Sequence, residues 1–329
     1  MSDPVRPTIA IVATGGTIAM KNDPVTGAPV PALTGADLAA AVPRLADLAR
    51  IEVVEFANAP SAYMGPALWP DLSRTVAGLL DRSEIAGAIV LHGTDTLDQT
   101  AYFLDLTLAG DKPVVMVGAQ RNASDPDADG ARNLLNAARQ ILAPGSRDMG
   151  VTVTLNHNVN AAREVRKTHT NNVETFNSGE AGFLGHVDED RVVFWRKSLR
   201  RQTLPLPARL ARVGLVPMVA GDDGEQLRHA VARGAEGVVI AAYGFGNVND
   251  ALFDAVTEAI AAGVTIIVAS QVAQGRALPV YGFKGGGNTL LKAGAVFADD
   301  LTPDKARVLA LLALPLTRDR EALQAYYDR

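Results

Sequence analysis

Residues 237–269 read GVVIAAYGFGNVNDALFDAVTEAIAAGVTIIVA, and this stretch decides the fold. Two apolar runs rich in β-branched residues, Gly237–Ala242 and Val264–Ala269, enclose an amphipathic segment at Ala251–Ala262. Apolar runs of this length are typical of strands buried on both faces, and a helical connection between two such strands makes them parallel. The stretch therefore predicts a β-α-β unit in a parallel sheet that is covered by helices.

The same alternation recurs along most of the chain and predicts an α/β protein. The other predicted strands lie at Thr8–Thr14, Ile51–Phe56, Gly87–Leu91, Pro113–Gly118, Val151–Leu155 and Val213–Val219. The other predicted helices lie at Trp69–Leu80, Ala131–Leu142 and Glu225–Arg233.

The alternation stops between about residues 156 and 212. Basic residues crowd Arg196–Arg201, which we interpret as a solvated stretch, and two prolines, Pro205 and Pro207, follow it. A length of 329 residues suggests two domains, because a domain has roughly 150 residues. We therefore predict an N-terminal domain at residues 1–200, a linker at 201–212 and a C-terminal domain at 213–329.

Composition excludes several classes of function. The formal net charge of -5 argues against nucleic acid as the main partner, since nucleic-acid binding favours a basic surface. The absence of cysteine excludes disulfides, thiolate catalysis and zinc-thiolate sites. The five histidines show no close ligand spacing of the HExxH kind. Neither residue type therefore indicates a metal site.

The sequence also bears on location. No window reaches the ~18 consecutive apolar residues of a membrane helix. The apolar run Ile9–Ala13 is about half as long as the apolar part of a secretory signal, and glycines follow it directly. It therefore indicates a buried strand. We expect a cytoplasmic protein that does not act on membranes, although a chain whose signal had been removed would look similar.

Ligands of open α/β sheets bind beyond the carboxyl ends of the strands, so the loops after the predicted strands are candidate sites. The loop after the first strand holds Thr17 behind two glycines and contains no GxGxxG, GxxxxGK[ST] or GxSxG motif. Taken alone, it fits a turn whose hydroxyls cap a helix. The loop after Gly87–Leu91 holds Thr94 and Asp95, and Asp95 taken alone fits an N-cap. The two loops become informative only if they are neighbours in one cleft.

Threonine is a weak nucleophile until a base activates it. Most lysines are solvated surface charges, but a lysine such as Lys167 with its tail buried near Thr94 would have a lowered pKa and could accept a hydroxyl proton. An opposed carboxylate such as that of Asp95 would instead favour the charged lysine, and the sequence leaves this open. His92 fits a packed structural histidine as well as a catalytic base, so we assign it no role.

Taken together, these motifs resemble the bacterial L-asparaginase family of threonine-dependent amidohydrolases. The matching stretches run in family order and are ATGGTIA (13–19), PSAYM (60–64), LHGTDTLDQTAYFLDL (91–106), KPVVMVGAQR (112–121), DGARNLLNA (129–137), EVRKT (164–168), VETF (173–176), GFGNVN (244–249) and LTPDKARVLALLAL (301–314). The resemblance implies a large flavodoxin-like N-terminal domain with a parallel sheet and a smaller α/β C-terminal domain. It also implies a small-molecule amide substrate, catalysis without a cofactor, and self-association as dimers or tetramers.

The catalytic roles that the resemblance implies carry over residue by residue. Thr17 matches the nucleophile that attacks the side-chain amide carbon and forms an acyl-enzyme. Thr94, Asp95 and Lys167 match a second cluster. In that cluster Lys167 acts as a base toward Thr94 or a water, while Asp95 orients the lysine and holds the substrate ammonium.

The resemblance also implies a set of substrate-binding residues. Ser61 matches the residue that binds the substrate α-carboxylate. Gly16, Ala119 and Asn249 complete the predicted set. Backbone N–H groups near Thr94 and Ala119 are expected to hold the oxyanion of the tetrahedral intermediate.

Three departures from the family pattern concern substrate choice. The lid after Thr17, at residues 20–35, contains no tyrosine to contact the nucleophile and carries three prolines that would stiffen it. Tyr63, from a neighbouring loop, is a conceivable substitute. Ala62 stands where a polar residue is common, and the segment Gln271–Gly287, which matches the source of a partner-subunit acid, contains no Asp or Glu.

The sequence therefore predicts an L-asparaginase that forms an acyl-enzyme on Thr17. The alternative is a related amidohydrolase of the same fold that acts on glutamine, D-asparagine or another carboxylate-bearing amide. A non-catalytic amino-acid-binding protein on this scaffold is less favoured, because such a protein would not need Thr17, Thr94, Asp95 and Lys167 together.

Overall fold

The computed structural model describes residues 6–329, which divide into two compact units between Thr203 and Leu204. Residues 201–212, the predicted linker, contain no helix or strand, and their role as a linker stays a prediction. Among the described residues, no helix is both long and apolar enough to cross a lipid bilayer.

The first unit is built on one eight-stranded sheet. The strands of the unit are β1 (Thr8–Ala13), β2 (Met20–Asn22), β3 (Pro29–Pro31), β4 (Arg50–Glu55), β5 (Ile85–Leu91), β6 (Val114–Val117), β7 (Val151–Leu155), β8 (Asn158–Ala161), β9 (Arg166–Lys167), β10 (Phe176–Asn177), β11 (Gly185–Val187) and β12 (Val192–Phe194). The helices are α1 (Gly35–Ala40), α2 (Arg44–Leu48), α3 (Trp69–Leu80), α4 (Leu97–Thr107) and α5 (Gly130–Leu142). The sheet order is β12-β11-β8-β7-β6-β5-β1-β4.

Five adjacent strands of this sheet, β4, β1, β5, β6 and β7, are parallel. If these five strands are renumbered 1 to 5 in chain order, their order in the sheet is 2-1-3-4-5, which is the flavodoxin-like arrangement. The α/β class and the parallel sheet that the sequence predicted are confirmed.

Strand β1 explains why helices cover both faces of the sheet. Successive side chains of a strand point to opposite faces, and β1 is buried from Ile9 to Ala13. Ala10 and Val12 belong to the apolar core that contains residues of α3 and α4, whereas Ile9 and Ile11 belong to the core that contains residues of α1, α2 and α5. A strand with two buried faces must be a continuous apolar run, which is why the sequence pattern predicts it.

The chain changes direction across the sheet at β1. It passes from β1 to β4 on one side and then returns to β5 on the other side. At such a switch point a crevice lies outside the carboxyl ends of the two strands. Thr17 follows β1 and Thr94 follows β5, so both predicted threonine loops border the same crevice.

Beyond β7 the strands of the first unit are short and antiparallel. β8 returns beside β7 through Asn156 and His157, both of which have positive φ. β9 and β10 have two residues each, and Lys167 pairs with Phe176. Strands this short leave no periodic pattern, so the sequence predicts only that the alternation stops here.

The basic stretch Arg196–Arg201 is solvated only in part, since Lys197 is exposed whereas Arg196 and Arg201 are half-buried. Nη2 of Arg196 donates to Glu164 at 2.5 Å, and the Arg201 guanidinium lies 3.3 Å from the buried carboxylate of Asp105. Both arginines therefore anchor the stretch to the first unit. A run of like charges indicates solvation only when no opposite charge folds against it, and here the acids are far away in sequence.

The second unit contains a four-stranded parallel sheet in the order β13-β14-β15-β16. Its strands are β13 (Val213–Pro217), β14 (Gly237–Ala242), β15 (Thr265–Ser270) and β16 (Val296–Phe297). Its helices are α6 (Glu225–Ala232), α7 (Asp250–Ala261), α8 (Gly287–Ala293), α9 (Pro303–Ala313) and α10 (Arg320–Tyr327). The predicted β-α-β unit of residues 237–269 is present, since β14 and β15 pair in parallel around α7.

Candidate active site

The loops after β1 and β5 touch through two glycines. Gly16 has a φ of 92°, a value that side-chain-bearing residues rarely adopt. A Cβ atom on Gly16 would lie 2.2 Å from Cα of Gly93, and one on Gly15 would lie 2.5 Å from the backbone nitrogen of Ala59 in the loop after β4. Three strand-end loops therefore meet backbone to backbone, and the two threonine loops are neighbours.

Thr17 opens a short 3-10 helix at Thr17–Ala19 and is half-buried. No group of residues 6–329 forms a hydrogen bond with the Thr17 hydroxyl, so this hydroxyl is available to a ligand. The end of β1 is fixed instead by Thr14, whose Oγ1 donates to the carbonyl oxygen of Leu91 at 2.9 Å.

The second predicted cluster is assembled. Nζ of Lys167 donates to Oγ1 of Thr94 at 2.9 Å and to Oδ1 of Asp95 at 2.7 Å. Thr94 is buried, the Lys167 side chain is 18% exposed, and the Asp95 side chain is 70% exposed. Nζ of Lys167 therefore lies between a buried hydroxyl and a carboxylate that solvent or a ligand can reach.

Lys167 is placed by a residue that sequence reasoning missed. Oδ2 of the buried Asp98, in α4, accepts the backbone N–H of Lys167 at 3.2 Å. The helix that follows Thr94 therefore also positions the strand that carries Lys167. Asp98 lies within the LDQT stretch, but nothing in its spacing indicates a partner 69 residues away.

Ser61 lies beside the Thr94 loop. Its Oγ accepts the backbone N–H of Asp95 at 3.2 Å, and its carbonyl oxygen accepts the Thr96 hydroxyl at 2.7 Å. Ser61 itself is only 5% exposed. Tyr63, two residues later, is 74% exposed and is not held against the nucleophile.

Ala119 follows β6 and is fully buried. The two residues after it, Gln120 and Arg121, donate their backbone N–H groups to the carboxylate of Asp129 at 2.9–3.2 Å. Nδ2 of Asn133 holds the same carboxylate at 3.0 Å. The side chain of Gln120, which the sequence did not single out, accepts the Thr94 hydroxyl at 3.0 Å.

The lid is an ordered hairpin formed by β2 and β3. Oδ1 of Asp23 closes its tip by accepting the N–H groups of Val25 and Thr26. At the end of β2 that adjoins the tip, Oδ1 of Asn22 accepts from Nδ2 of Asn122 at 3.2 Å, and the backbone N–H of Asn22 donates to Ser124 at 3.1 Å. The lid is thus anchored to the loop that carries Ala119.

His92, which directly follows β5 in the sequence, is fully buried. Its Nδ1 donates to the carbonyl oxygen of Gly93 at 2.7 Å, which leaves Nε2 as the unprotonated nitrogen, and within the described chain Nε2 has no hydrogen-bond partner. Burial lowers the pKa of His92 to about 4, because desolvation disfavours the charged ring. His92 is therefore a neutral packed residue in this site.

Asn249, a predicted substrate-binding residue, lies in the second unit. Its Oδ1 accepts the N–H of Leu252 at 2.9 Å as the N-cap of α7, and its Nδ2 donates to the carbonyl oxygen of Asp222 at 2.7 Å. The carboxamide is thus engaged within its own unit at both ends. A contact between Asn249 and a substrate stays a prediction.

The first unit therefore combines a free hydroxyl with a second hydroxyl that is bonded to a lysine-carboxylate pair. Such a set suits acyl transfer at an amide, in which one hydroxyl attacks carbon and the other groups move protons. Among residues 6–329, no three histidine, aspartate or glutamate side chains converge as metal ligands.

Comparison with known proteins agrees with this chemistry. Residues 8–200 match the family profile "Asparaginase, N-terminal", and residues 212–327 match "Glutaminase/Asparaginase C-terminal domain". "L-asparaginase 2" of Escherichia coli (strain K12) is 35% identical, over 98% of this chain and 93% of that protein. "L-asparaginase 2" of Bacillus subtilis (strain 168) is 34% identical, over 98% of this chain and 86% of that protein.

A solved structure agrees in fold. The "Probable Cytoplasmic L-asparaginase" from Campylobacter jejuni superposes with a TM-score of 0.90 at 33% identity, over 98% of this chain and all of that one. The chain belongs to the asparaginase family, and it is an amidohydrolase with the two-domain asparaginase fold.

Proposed function

We propose that the chain is an L-asparaginase that hydrolyses L-asparagine to L-aspartate and ammonia through an acyl-enzyme on Thr17. The observation that carries the proposal is the bonded cluster of Thr94, Lys167 and Asp95 at the crevice that the Thr17 loop also borders. A hydroxyl nucleophile needs a proton acceptor within hydrogen-bond reach, and this cluster supplies one without a cofactor.

In the first half-reaction, Oγ1 of Thr17 attacks the side-chain amide carbon, and the hydroxyl proton passes to the neutral amine of Lys167, beside Thr94. The C–N bond then breaks as Lys167 returns this proton to the amide nitrogen, which leaves as ammonia. In the second half-reaction, a water attacks the ester carbon and gives up a proton to the same amine. Lys167 passes this proton to Oγ1 of Thr17 as the ester bond breaks, and L-aspartate is released.

Side chains of the first unit bind the substrate in this proposal. Ser61 binds the α-carboxylate, and Asp95 binds the ammonium through its exposed carboxylate. Gly16, next to the nucleophile, presents only its backbone to the reacting amide because it carries no side chain. Backbone N–H groups near Thr94 and Ala119 hold the oxyanion, where preorganised donors stabilise the developing charge.

The second candidate is hydrolysis of another carboxylate-bearing amide, such as L-glutamine or D-asparagine. It is favoured by Ala62, which offers no polar side chain next to Ser61, and by a lid hairpin without tyrosine at residues 20–35. Because Gln271–Gly287 contains no Asp or Glu, Asp95 is the carboxylate that binds the substrate ammonium in this proposal.

We also propose that the chain self-associates as a dimer or tetramer. Four aromatic side chains of the second unit, Tyr243, Phe245, Tyr281 and Phe283, are each at least 43% exposed. The ring centroids of Phe245 and Tyr281 lie 6.3 Å apart, and those of Tyr281 and Phe283 lie 5.7 Å apart. Contiguous exposed apolar surface is typical of association sites, and analytical ultracentrifugation tests the proposal.

A cytoplasmic location is proposed by analogy with the Campylobacter jejuni protein, whose name includes that location. Separation of periplasmic and cytoplasmic fractions of the source cells, followed by detection of the chain with an antibody, tests it. Recovery in the periplasmic fraction would contradict it.

The activity is tested by ammonia release at neutral pH from L-asparagine, L-glutamine and D-asparagine. We expect the highest kcat/KM on L-asparagine, no turnover by Thr17→Ala, and residual turnover by Thr17→Ser, which retains the hydroxyl. Best turnover of another amide would support the second candidate. Asparagine binding without ammonia release by the folded protein would indicate a binding protein instead.

A further inference from the structure

We propose that Gln120 is a positioning residue for Thr94, which fixes the direction of the Thr94 hydroxyl and ties it to the loop that follows Lys167. The inference rests on the proposed function. Oε1 of Gln120 accepts the Thr94 hydroxyl at 3.0 Å. Nε2 of Gln120 donates to the carbonyl oxygens of Asn172 at 3.2 Å and Thr170 at 3.4 Å.

The surroundings of the Gln120 carboxamide decide which way it faces. Its nitrogen end meets two backbone carbonyl oxygens, at Thr170 and Asn172, and these can only accept. A flipped amide would set its oxygen against both of them. The oxygen therefore faces Thr94, and an amide oxygen can only accept, so the Thr94 hydroxyl must donate to it.

The bond to Gln120 also determines where the lone pairs of the Thr94 oxygen point. Because its proton points to Gln120, the oxygen presents lone pairs elsewhere, and one of these accepts from Nζ of Lys167 at 2.9 Å. The hydroxyl of Thr94 is thus held between a donor and an acceptor. A further lone pair of the oxygen is left to accept a hydrogen bond from Thr17 or from a water, while the proton released in the reaction goes to Nζ of Lys167.

Gln120 is itself held firmly enough for this role. Its backbone N–H is bound by the Asp129 carboxylate, which Asn133 secures. The methyl group of Thr94 packs at Gly118, where an added Cβ would lie 3.0 Å from Cγ2 of Thr94. Two constraints, one polar and one apolar, therefore set the rotamer of Thr94.

The neighbouring Arg121 provides a matched control. Its Nη1 donates to Oδ1 and to the carbonyl oxygen of Asn171 at 2.7 Å, so it secures the same loop as Gln120. Unlike Gln120, it does not contact Thr94. Replacing Arg121 therefore weakens the anchoring of the loop while the bond between Gln120 and Thr94 stays in place.

The experiment measures kcat and KM for L-asparagine with wild type, Gln120→Met, Gln120→Glu and Arg121→Met. Methionine has nearly the same size as glutamine but cannot accept the hydroxyl. We expect Gln120→Met to lower kcat about 10- to 100-fold, because small misplacements of catalytic groups have effects of this size, with KM changed less than threefold. Gln120→Glu retains an acceptor and should recover part of kcat, and Arg121→Met should stay within about threefold of wild type.

A second comparison separates positioning from general damage. Thr94→Ser keeps the hydroxyl but removes the methyl group, so its orientation depends more on Gln120. We expect Gln120→Met to reduce kcat by a larger factor in the Thr94→Ser background than in wild type. Equal factors in both backgrounds, a Gln120→Met kcat within twofold of wild type, or an equal loss in Arg121→Met would each overturn the inference.

The controls also keep the two proposals apart. If wild type releases no ammonia from any amide in the panel, the proposed function fails, whatever the variants do. If wild type is active and Thr17→Ala is not, while Gln120→Met behaves as wild type, only the role of Gln120 fails.

Discussion

Lys167 and Thr94 are 73 residues apart in the chain, and their Nζ and Oγ1 atoms meet at 2.9 Å. The contact joins a two-residue antiparallel strand to the loop after a parallel strand of the sheet. Neither element fixes the distance alone. It depends on the buried carboxylate of Asp98, which holds the backbone of Lys167 against α4.

Replacement of Lys167 by methionine should remove the proton acceptor and retain the length of the side chain. We expect kcat to fall by at least about 100-fold, the lower end of the effect of general base catalysis, with an unchanged circular dichroism spectrum. Lys292→Met, at an exposed lysine in α8, is the matched control and should keep wild-type kcat. More than a tenth of wild-type kcat in Lys167→Met would refute the assigned role.

Gly16→Ala should abolish activity and lower the melting temperature. The substitution forces alanine into a φ of 92° and places its Cβ against the backbone of Gly93, which cannot withdraw without moving the Thr94 loop. The strained backbone alone costs about 1–3 kcal/mol. Gly78→Ala is the control, because this glycine lies inside α3 with open space around it, and alanine there should stabilise the helix by roughly 0.5–1 kcal/mol. An active, equally stable Gly16→Ala would contradict the backbone contact.

His92 should titrate far below the ordinary pKa of a histidine. Its folded pKa of about 4 is lower than its ordinary value of 6.5, so the unfolded chain binds the proton more tightly. The neutral ring therefore contributes stability that is complete above pH 6.5 and is lost as the pH falls toward 4, and the difference amounts to roughly 3 kcal/mol. Nuclear magnetic resonance of labelled histidines, assigned with His92→Gln, gives the titration midpoint directly. A midpoint near 6.5 would show that the ring is not desolvated.

Glu236 should make the second unit sensitive to acid. Arg209, the backbone N–H of Arg212 and Arg318 all bind its carboxylate and lower its pKa to about 2 from an ordinary 4.5. A depressed carboxyl pKa stabilises the fold above 4.5, and this contribution disappears as the pH falls toward 2.

Glu236→Gln should therefore have a lower melting temperature than wild type at pH 7, and the gap should narrow as the pH falls below 4.5. Differential scanning calorimetry at one protein concentration measures both. Glu225→Gln removes a carboxylate that is 71% exposed and bound to Arg228, and it should change the melting temperature little at either pH. A gap of the same size at pH 3 and pH 7 would mean that the charge of Glu236 does not matter.

The strand-helix framework could be predicted because its cause is local. A strand such as Gly237–Ala242, buried on both faces, must be apolar throughout, and a helix such as Trp69–Leu80 must be apolar on one side. The predicted limits of these two elements agree with the structure at every residue. The fold class followed from the order in which such elements alternate.

The surroundings of the candidate site could be predicted only in part. Thr17, Thr94, Asp95 and Lys167 stood out through resemblance, and the last three are joined by hydrogen bonds. Their catalytic roles stay predictions until the variants are measured. Asp98, Gln120 and Asp129 act through contacts between residues distant in sequence, where a carboxylate or amide binds backbone groups of another loop. A single sequence carries no periodicity or spacing that reports such contacts.

The contact between Gly16 and Gly93 has an evolutionary consequence. Every replacement of Gly16 adds a Cβ atom where the other loop already stands, so a single substitution there disturbs both threonine loops. Selection for activity would therefore act against change at this junction. A new substrate preference is acquired with less disturbance at positions such as Ala62 or the lid hairpin, which can vary while the glycine junction stays as it is.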